Sequence, residues 1–381
     1  MKYFIIAGEV SGDLHGANLI KSMLKKDNKA VFRYYGGDRM KEVCPEGIAM
    51  HINELAVMGI FEVISRLPFF IKHFSLCINE IIDFQPDAII LIDYGGFNLR
   101  IASLIKRKLN VPIYYFIPPK VWAWGLNRVH KLQKYVDKVF SILPFEVEFF
   151  KSYDVNVQYY GNPLVKEINN FLSNYNESRE SFLRKNNLYD KPIIALLPGS
   201  RKQEIKLCLN QMLSVANKFQ NFQFVIAGIS LLKNFYNYND IDDFKNVKII
   251  YDQTYPLLYH SHAAIVTSGT ATLETALFKV PQVVVYKTSS LSYNIGQVLI
   301  ALGYINVKNF SLPNLIARKE IVKELLQNNV DKFLLSEFKK IVEEKDKRNE
   351  MLNEYEKIIE TLGDNDVYEL VANDIVNLTI K

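Results

Sequence analysis

The feature that most limits the fold is a series of short apolar runs, rich in β-branched and aromatic residues. They are KYFIIAG (2–8), VFRYYG (31–36), DAIILID (87–93), PIYYFIP (112–118), KVFSILP (138–144) and VQYYG (157–161). After a polar, Asn-rich interval over 170–191 the series restarts with PIIALLPG (192–199), QFVIAG (223–228), VKIIY (247–251), AAIVTSG (263–269) and QVVVYK (282–287). Most neighbouring runs are separated by enough chain for a crossover helix. Runs that are apolar throughout, rather than alternating, suit parallel strands covered on both faces. Strand–helix alternation of this kind predicts an α/β fold of two Rossmann-like, doubly wound domains facing a cleft. The expected domains are 1–165 and 166–344. From about residue 319 the chain reads as helical and charge-laced, beginning with KEIVKELLQ. The C-terminal helix, 345–381, is expected to pack back on the first domain.

Composition narrows the function classes. The 381 residues suffice for a core in each domain. A net charge of +5 is too mild for a dedicated nucleic-acid binder but tolerates phosphorylated substrates or an anionic membrane face. The three cysteines, Cys44, Cys77 and Cys208, are too widely spaced for a zinc motif or a disulfide framework, which fits a reducing cytoplasm. The first apolar run is interrupted by Gly8 and Glu9, too early for a signal-peptide core, and no run is long enough to span a bilayer.

In an open α/β sheet, ligands gather beyond the carboxyl ends of the strands, and four turns there carry candidate chemistry. AGEVSGDLHG (7–16) has glycines four apart, matching neither dinucleotide nor P-loop spacing. Its glycines permit a tight turn, while Glu9, Ser11 and Asp13 suit sugar hydroxyls better than phosphate. In LIDYGGFNLR (91–100), Asp93 ends an apolar strand, where partial desolvation makes a carboxylate a better base. The alternative is a helix cap, a task for which Asn98 is the more natural residue. LLPGSRKQEI (196–205) places Ser200 at a helix start and Arg201 in its first turn. A cation is disfavoured there unless an anion lies nearby, with Glu204 as the competing partner. In AAIVTSGTATLETALFKVP (263–281), Ser268, Gly269 and Thr270 form a second small-residue helix start. Glu274 lies one turn on, placed for a vicinal diol such as ribose. The two helix starts together indicate a nucleoside diphosphate in the second domain.

Residues 54–74, ELAVMGIFEVISRLPFFIKHF, admit two readings. Phe61, Ile64, Leu67, Phe70 and Ile71 either belong to core helices broken at Pro68 or form an apolar, basic-fringed patch on a membrane.

The segments AGEVSGD (7–13), ELAVMG (54–59), LIDYGGFN (91–98), VWAW (121–124), LPFE (143–146), LPGSR (197–201), SGTATLE (268–274), SLPN (311–314) and ELLQ (324–327) occur in an order that covers the chain. In these the chain resembles the lipid-A-disaccharide synthase family, membrane-associated GT-B glycosyltransferases (family 19). It departs from that pattern at Gly95-Gly96, where Pro is frequent, and at Pro118-Pro119-Lys120, where Ser is usual beside the Pro. It also carries Asn162 for His and His15 for Leu.

The resemblance implies a reaction. UDP-2,3-diacylglucosamine gives its sugar, with inversion, to the 6-hydroxyl of 2,3-diacylglucosamine 1-phosphate, releasing UDP. It further implies the acceptor in the first domain, UDP in the second, and no metal or other cofactor. Asp93 would be the base, and Arg201, Ser200, Ser268, Gly269, Thr270 and Glu274 would hold UDP. Glu9, Ser11, Asn98, Arg128 and Asn314 would line the acceptor side or the cleft, Arg128 near the acceptor phosphate. The expected location is cytoplasmic, on the inner-membrane surface, and a homodimer stays open. Rivals are a UDP-sugar 2-epimerase, a transferase with a soluble acceptor, and a non-catalytic binding protein. A nicotinamide dehydrogenase is disfavoured because G-x-G-x-x-G is absent.

Overall fold

A computed structural model describes residues 1–55, 67–123, 125–236, 241, 243–288 and 309–380. The chain divides into two compact units, one of Met1–Pro163 with Asp364–Lys381, the other of Leu164–Gly363. Each is built around a parallel sheet.

The first unit's sheet contains β1 (Lys2–Ala7), β2 (Val31–Gly36), β3 (Ile48–His51), β4 (Ala88–Ile92), β5 (Ile113–Phe116), β6 (Lys138–Ser141) and β7 (Val157–Tyr159). Their order is β3-β2-β1-β4-β5-β6-β7, with every pairing parallel. The interior strands are buried along nearly their whole length, which is why they read as unbroken apolar runs. One face is covered by helices Leu67–Phe84, Gly95–Ile105, Val129–Tyr135 and Pro144–Lys151, through side chains such as Ile81, Ile101, Leu132 and Phe150. The other is covered by Val10–Lys26 and the terminal helix Val367–Ile380.

That terminal helix buries Val371, Ile375 and Val376, at about 1.5–3 kcal/mol per fully buried large aliphatic side chain. It is also pinned by Asp374, which takes the Lys138 ammonium at 2.6 Å and the Tyr160 hydroxyl at 2.9 Å.

The second sheet comprises β8 (Ile193–Leu197), β9 (Gln223–Gly228), β10 (Val247–Tyr251), β11 (Ser261–Thr267), β12 (Gln282–Tyr286) and β13 (Lys323–Leu326). The order is β10-β9-β8-β11-β12-β13, again parallel throughout.

Three sequence expectations change. The division falls between Pro163 and Leu164, and the helix Lys345–Leu362 stays with the second unit, burying Met351, Tyr355 and Ile358 there. Only residues 364–381 return to the first unit. KELL (323–326), read as helix, is the edge strand β13, because its backbone pairs with β12 and tertiary pairing outweighs helix propensity. The short edge strand β3 was not anticipated from its weakly apolar sequence, IAMH. Among the described residues no helix is long and apolar enough to cross a membrane.

Candidate functional site

In each sheet the chain winds outward from a central strand, then crosses to that strand's other side. The reversal lies between β1 and β4 in the first unit and between β8 and β11 in the second. Crevices at the carboxyl ends of such strands are where open α/β sheets bind ligands. The four turns singled out in the sequence follow these four strands.

In the first unit, β4 runs into Asp93 and Tyr94, both left-handed, with φ of 46° and 49°. Non-glycine residues occupy that region at a cost of about 1–3 kcal/mol each, so something must hold them there. The Asp93 carbonyl oxygen accepts the Tyr115 hydroxyl at 2.5 Å and the Asn98 side-chain amide at 2.8 Å. The same amide reaches the carbonyls of Ile92 (3.2 Å) and Ile6 (3.4 Å), tying the ends of β4 and β1 together. Asn98 is therefore neither a cap nor a crevice-lining residue. The helix begins at Gly95, and Asn98 is fully buried beneath the turn.

The half-buried Asp93 carboxyl is pushed above its ordinary value by burial, with the Tyr94 amide and the Lys120 charge pulling the other way. Gly8, ending β1, lies so close that a Cβ there would sit 2.2 Å from the Tyr94 ring. Glu9 and Ser11 are exposed at the start of the following helix. Arg128 is near enough to Tyr115 to act on it electrostatically.

Asp13 does not face the crevice. It is buried, and its carboxylate accepts the backbone amides of Gly37 (2.7 Å), Arg39 (2.9 Å) and Met40 (3.1 Å), capping the helix Asp38–Val43.

Beside Asp93, the turn Pro118–Trp122 is held by a buried carboxylate. Glu146 accepts the Trp122 indole N–H at 2.8 Å and a short bond from the Ser141 hydroxyl. Burial pushes this carboxyl up to about 7 despite both bonds and the Lys120 charge.

In the second unit, Gly199 follows β8 with φ of 110°. A Cβ there would meet the Glu204 carboxylate oxygen at 2.4 Å. Glu204 accepts the amides of Ser200 (2.9 Å) and Arg201 (3.2 Å). The expectation that these amides serve an anion is corrected: the helix begins at Lys202, Arg201 is its N-cap, and Glu204 takes both amides. The Arg201 guanidinium remains, 77% exposed and only 3.7 Å from Glu204.

After β11, Gly269 precedes the helix Thr270–Leu277, and a Cβ on Gly269 would meet nothing within 4 Å among the described residues. The leading amides of that helix point out of its N-terminus into this open space. Ser268 donates its hydroxyl to Phe310 O at 3.1 Å. One turn on, the Glu274 carboxylate lies 3.2 Å from the Tyr255 hydroxyl, itself 3.1 Å from Glu167. Burial and the neighbouring Glu167 charge push Glu274 up to about 7.

Asn314 is also corrected. It is fully buried, donates to Val322 O and Glu324, and accepts the amides of Ile321 and Val322. It is a strut joining 311–314 to β13. Glu324 completes that joint by accepting the Phe310 and Ser311 amides and the Ser311 hydroxyl.

Phe61 and Ile64 lie outside the described residues, and so do the side chains of Leu67, Phe70 and Ile71. Sequence reasoning gave no role to Lys120, Tyr115, Glu146, Tyr255 or Glu324. Glu146 and Glu324 stand inside the segments LPFE and ELLQ, so the signal was present without its geometry.

Two parallel doubly wound sheets, each with polar residues gathered at its reversal point, define the two-Rossmann-domain architecture of GT-B enzymes. Solved structures with this fold align over 99% of the chain. One is a UDP-GlcNAc 2-epimerase from Methanocaldococcus jannaschii in complex with UDP-GlcNAc and UDP, at TM-score 0.65, 13% identity and full coverage of that chain. The family model for lipid-A-disaccharide synthetase matches residues 3–373. Proteins named lipid-A-disaccharide synthase are 34% identical in Syntrophus aciditrophicus, over 94% of this chain and 93% of that one. The relative in Persephonella marina is 32% identical over the full length of both. The chain belongs to the lipid-A-disaccharide synthetase family and is a glycosyltransferase.

Proposed function

We propose that this chain transfers 2,3-diacylglucosamine from its UDP conjugate to the 6-hydroxyl of 2,3-diacylglucosamine 1-phosphate, with inversion. Asp93 accepts the hydroxyl proton as the oxygen attacks the sugar's anomeric carbon from the face opposite the leaving group. The anomeric carbon–oxygen bond breaks, and UDP carries away both phosphates. The growing negative charge on the diphosphate is met by the Arg201 guanidinium, the leading amides of the helix at Thr270, and the Ser268 and Thr270 hydroxyls. Ser200 and Gly269 form the walls of those turns, and Glu274 takes the ribose diol. Glu9, Ser11 and Arg128 serve the acceptor, Arg128 facing its phosphate.

The observation that carries this reading is Asp93. It stands at a strand-order reversal with its charged form disfavoured by burial, and two hydrogen bonds to its carbonyl, from Tyr115 and Asn98, hold it left-handed. Both substrates carry acyl chains, so the enzyme works at the cytoplasmic surface of the inner membrane, with 54–74 as the contacting segment. The reaction needs no metal or other cofactor.

The test is to supply both acylated substrates in detergent and measure UDP and the disaccharide mass. Asp93→Asn is expected to abolish turnover while leaving UDP binding at its wild-type affinity. Full activity in that variant would overturn the base assignment. Absence of product from the wild-type protein would overturn the reaction.

A further inference from the structure

The turn between β5 and the helix Val129–Tyr135 carries Lys120, an exposed cation that acts electrostatically on two carboxylates, Asp93 and Glu146. Three contacts determine where this turn lies. Pro119 packs against Gly95, two residues beyond Asp93, so closely that a Cβ on Gly95 would be 2.5 Å from the Pro119 ring. Within the turn, Val121 N bonds Pro119 O at 2.6 Å and Ala123 N bonds Lys120 O at 3.1 Å. Finally, Trp122 is clamped from the helix Pro144–Lys151, which follows β6. Its indole N–H bonds Glu146 at 2.8 Å, and its ring meets Phe145 edge-on with centroids 4.9 Å apart.

Glu146 is only 2% exposed. A buried carboxylate is costly unless it is hydrogen-bonded, and the same hydrophobic environment would be filled more cheaply by an apolar side chain. Its two partners come from separate elements, Trp122 on the turn and Ser141 at the end of β6. The carboxylate thus joins the turn to the carboxyl end of β6, from its place in the first turn of the helix that follows.

We propose that Glu146 is a positioning residue for the transfer. Acting through Trp122, it fixes the Pro118–Trp122 turn so that the Lys120 ammonium stands beside Asp93 as the counter-ion of the base. The inference rests on Asp93 being that base. Lys120 favours the ionised carboxylate that must take the proton, against the burial that disfavours it. If the turn drifts, the chemistry slows although both substrates still bind. A misplacement of about 1 Å near a reacting group lowers rates on the order of a hundredfold.

The experiment compares kcat, KM for the acylated UDP-sugar, UDP affinity and Tm in five variants. Glu146→Ala and Trp122→Phe are each expected to lower kcat about ten- to a hundredfold, with donor KM within about twofold of wild type. Glu146→Gln keeps an acceptor for the indole and a donor for Ser141, and is expected to recover kcat to within about threefold of wild type. Lys120→Ala should lower kcat by a similar factor, and Lys120→Ala with Trp122→Phe should lose no more than the worse single change, because both remove one interaction. Wild-type kcat in Glu146→Ala, failure of the Gln variant to recover, or losses that multiply in the double variant would each overturn the proposal. Should Glu146→Ala not fold, the Trp122–Lys120 pair decides the matter. Asp93→Asn assayed alongside separates the two readings: activity there sinks the base assignment, whatever the Glu146 variants do.

Discussion

At the scale of single residues, the first crevice is organised around a conformation that its own sequence disfavours. Asp93 and Tyr94 are both left-handed, and neither is glycine. Asn98 does most to offset this, because one amide group reaches three carbonyl oxygens at the ends of two strands. Replacing it with Ala leaves those buried acceptors short of a donor, at a cost of about 1–3 kcal/mol. The turn is then free to relax toward ordinary φ values. Asn98→Ala should therefore lower Tm and lower kcat more than donor KM, while UDP affinity, assigned in the proposed function to the second unit, stays unchanged. A variant with reduced Tm and undiminished kcat would show that the left-handed turn does not matter to the reaction. Gly95, where the resembled pattern frequently has Pro, meets the Pro119 ring at a distance that leaves no room for a side chain.

At the scale of elements, β13 shows how a strand can hide in a helical pattern. KEIVKELLQ has Glu and Lys at helical spacing, yet KELL pairs with β12 and its Glu324 side chain anchors residues 310–314. Removing that carboxylate in Glu324→Ala strips the acceptor from the Phe310 and Ser311 amides, the Ser311 hydroxyl and the Asn314 amide. Phe310 in turn accepts the Ser268 hydroxyl, and Thr272 accepts the Leu312 amide. The SGT helix start should thus loosen, with weaker UDP binding by calorimetry and a lower Tm. Unchanged UDP affinity in a folded Glu324→Ala protein would detach this joint from the nucleotide turn.

The buried central strands were legible because an unbroken apolar run has few other places to go. The positions of the turns after β1, β4, β8 and β11 were legible too, because each closes an apolar run. What each polar side chain does was not. Asp13, Asn98 and Asn314 sit in conspicuous motifs, and all three turn inward to satisfy backbone groups. Sequence spacing does not record whether a carboxamide faces a ligand or a carbonyl from a distant strand.

At the scale of the whole molecule, the chain leaves the first unit at Pro163, builds the second, and returns at Asp364. The first unit needs both chain ends to complete its core, since Val371 and Ile375 pack with Ile5 and Ile90. Each unit also carries a glutamate pushed from the ordinary 4.5 to about 7, the buried Glu146 in the first and the partly buried Glu274 in the second. A group whose folded pKa is raised binds more protons folded than unfolded, so its contribution to stability is present below pH 4.5 and is lost as pH climbs to about 7. Between the two pKa values the limiting slope is about 1.4 kcal/mol per pH unit for each such group. His15 acts in the opposite sense. Burial lowers it from 6.5 to about 4, so its contribution is complete above pH 6.5 and lost as pH falls through 4. His260 and His262 are lowered as well. Between pH 4.5 and 6.5 the histidines mask the glutamates, and a single wild-type profile conceals both. Difference measurements separate them. Glutamine mimics the protonated acid, so Glu146→Gln should match the wild-type Tm near pH 5 and exceed it above pH 7, and Glu274→Gln should do the same for the second unit. Scanning calorimetry across that range reads the effect directly. A Tm difference that stays constant from pH 5 to pH 8 would mean that the carboxylates do not titrate between the folded and unfolded states in this window.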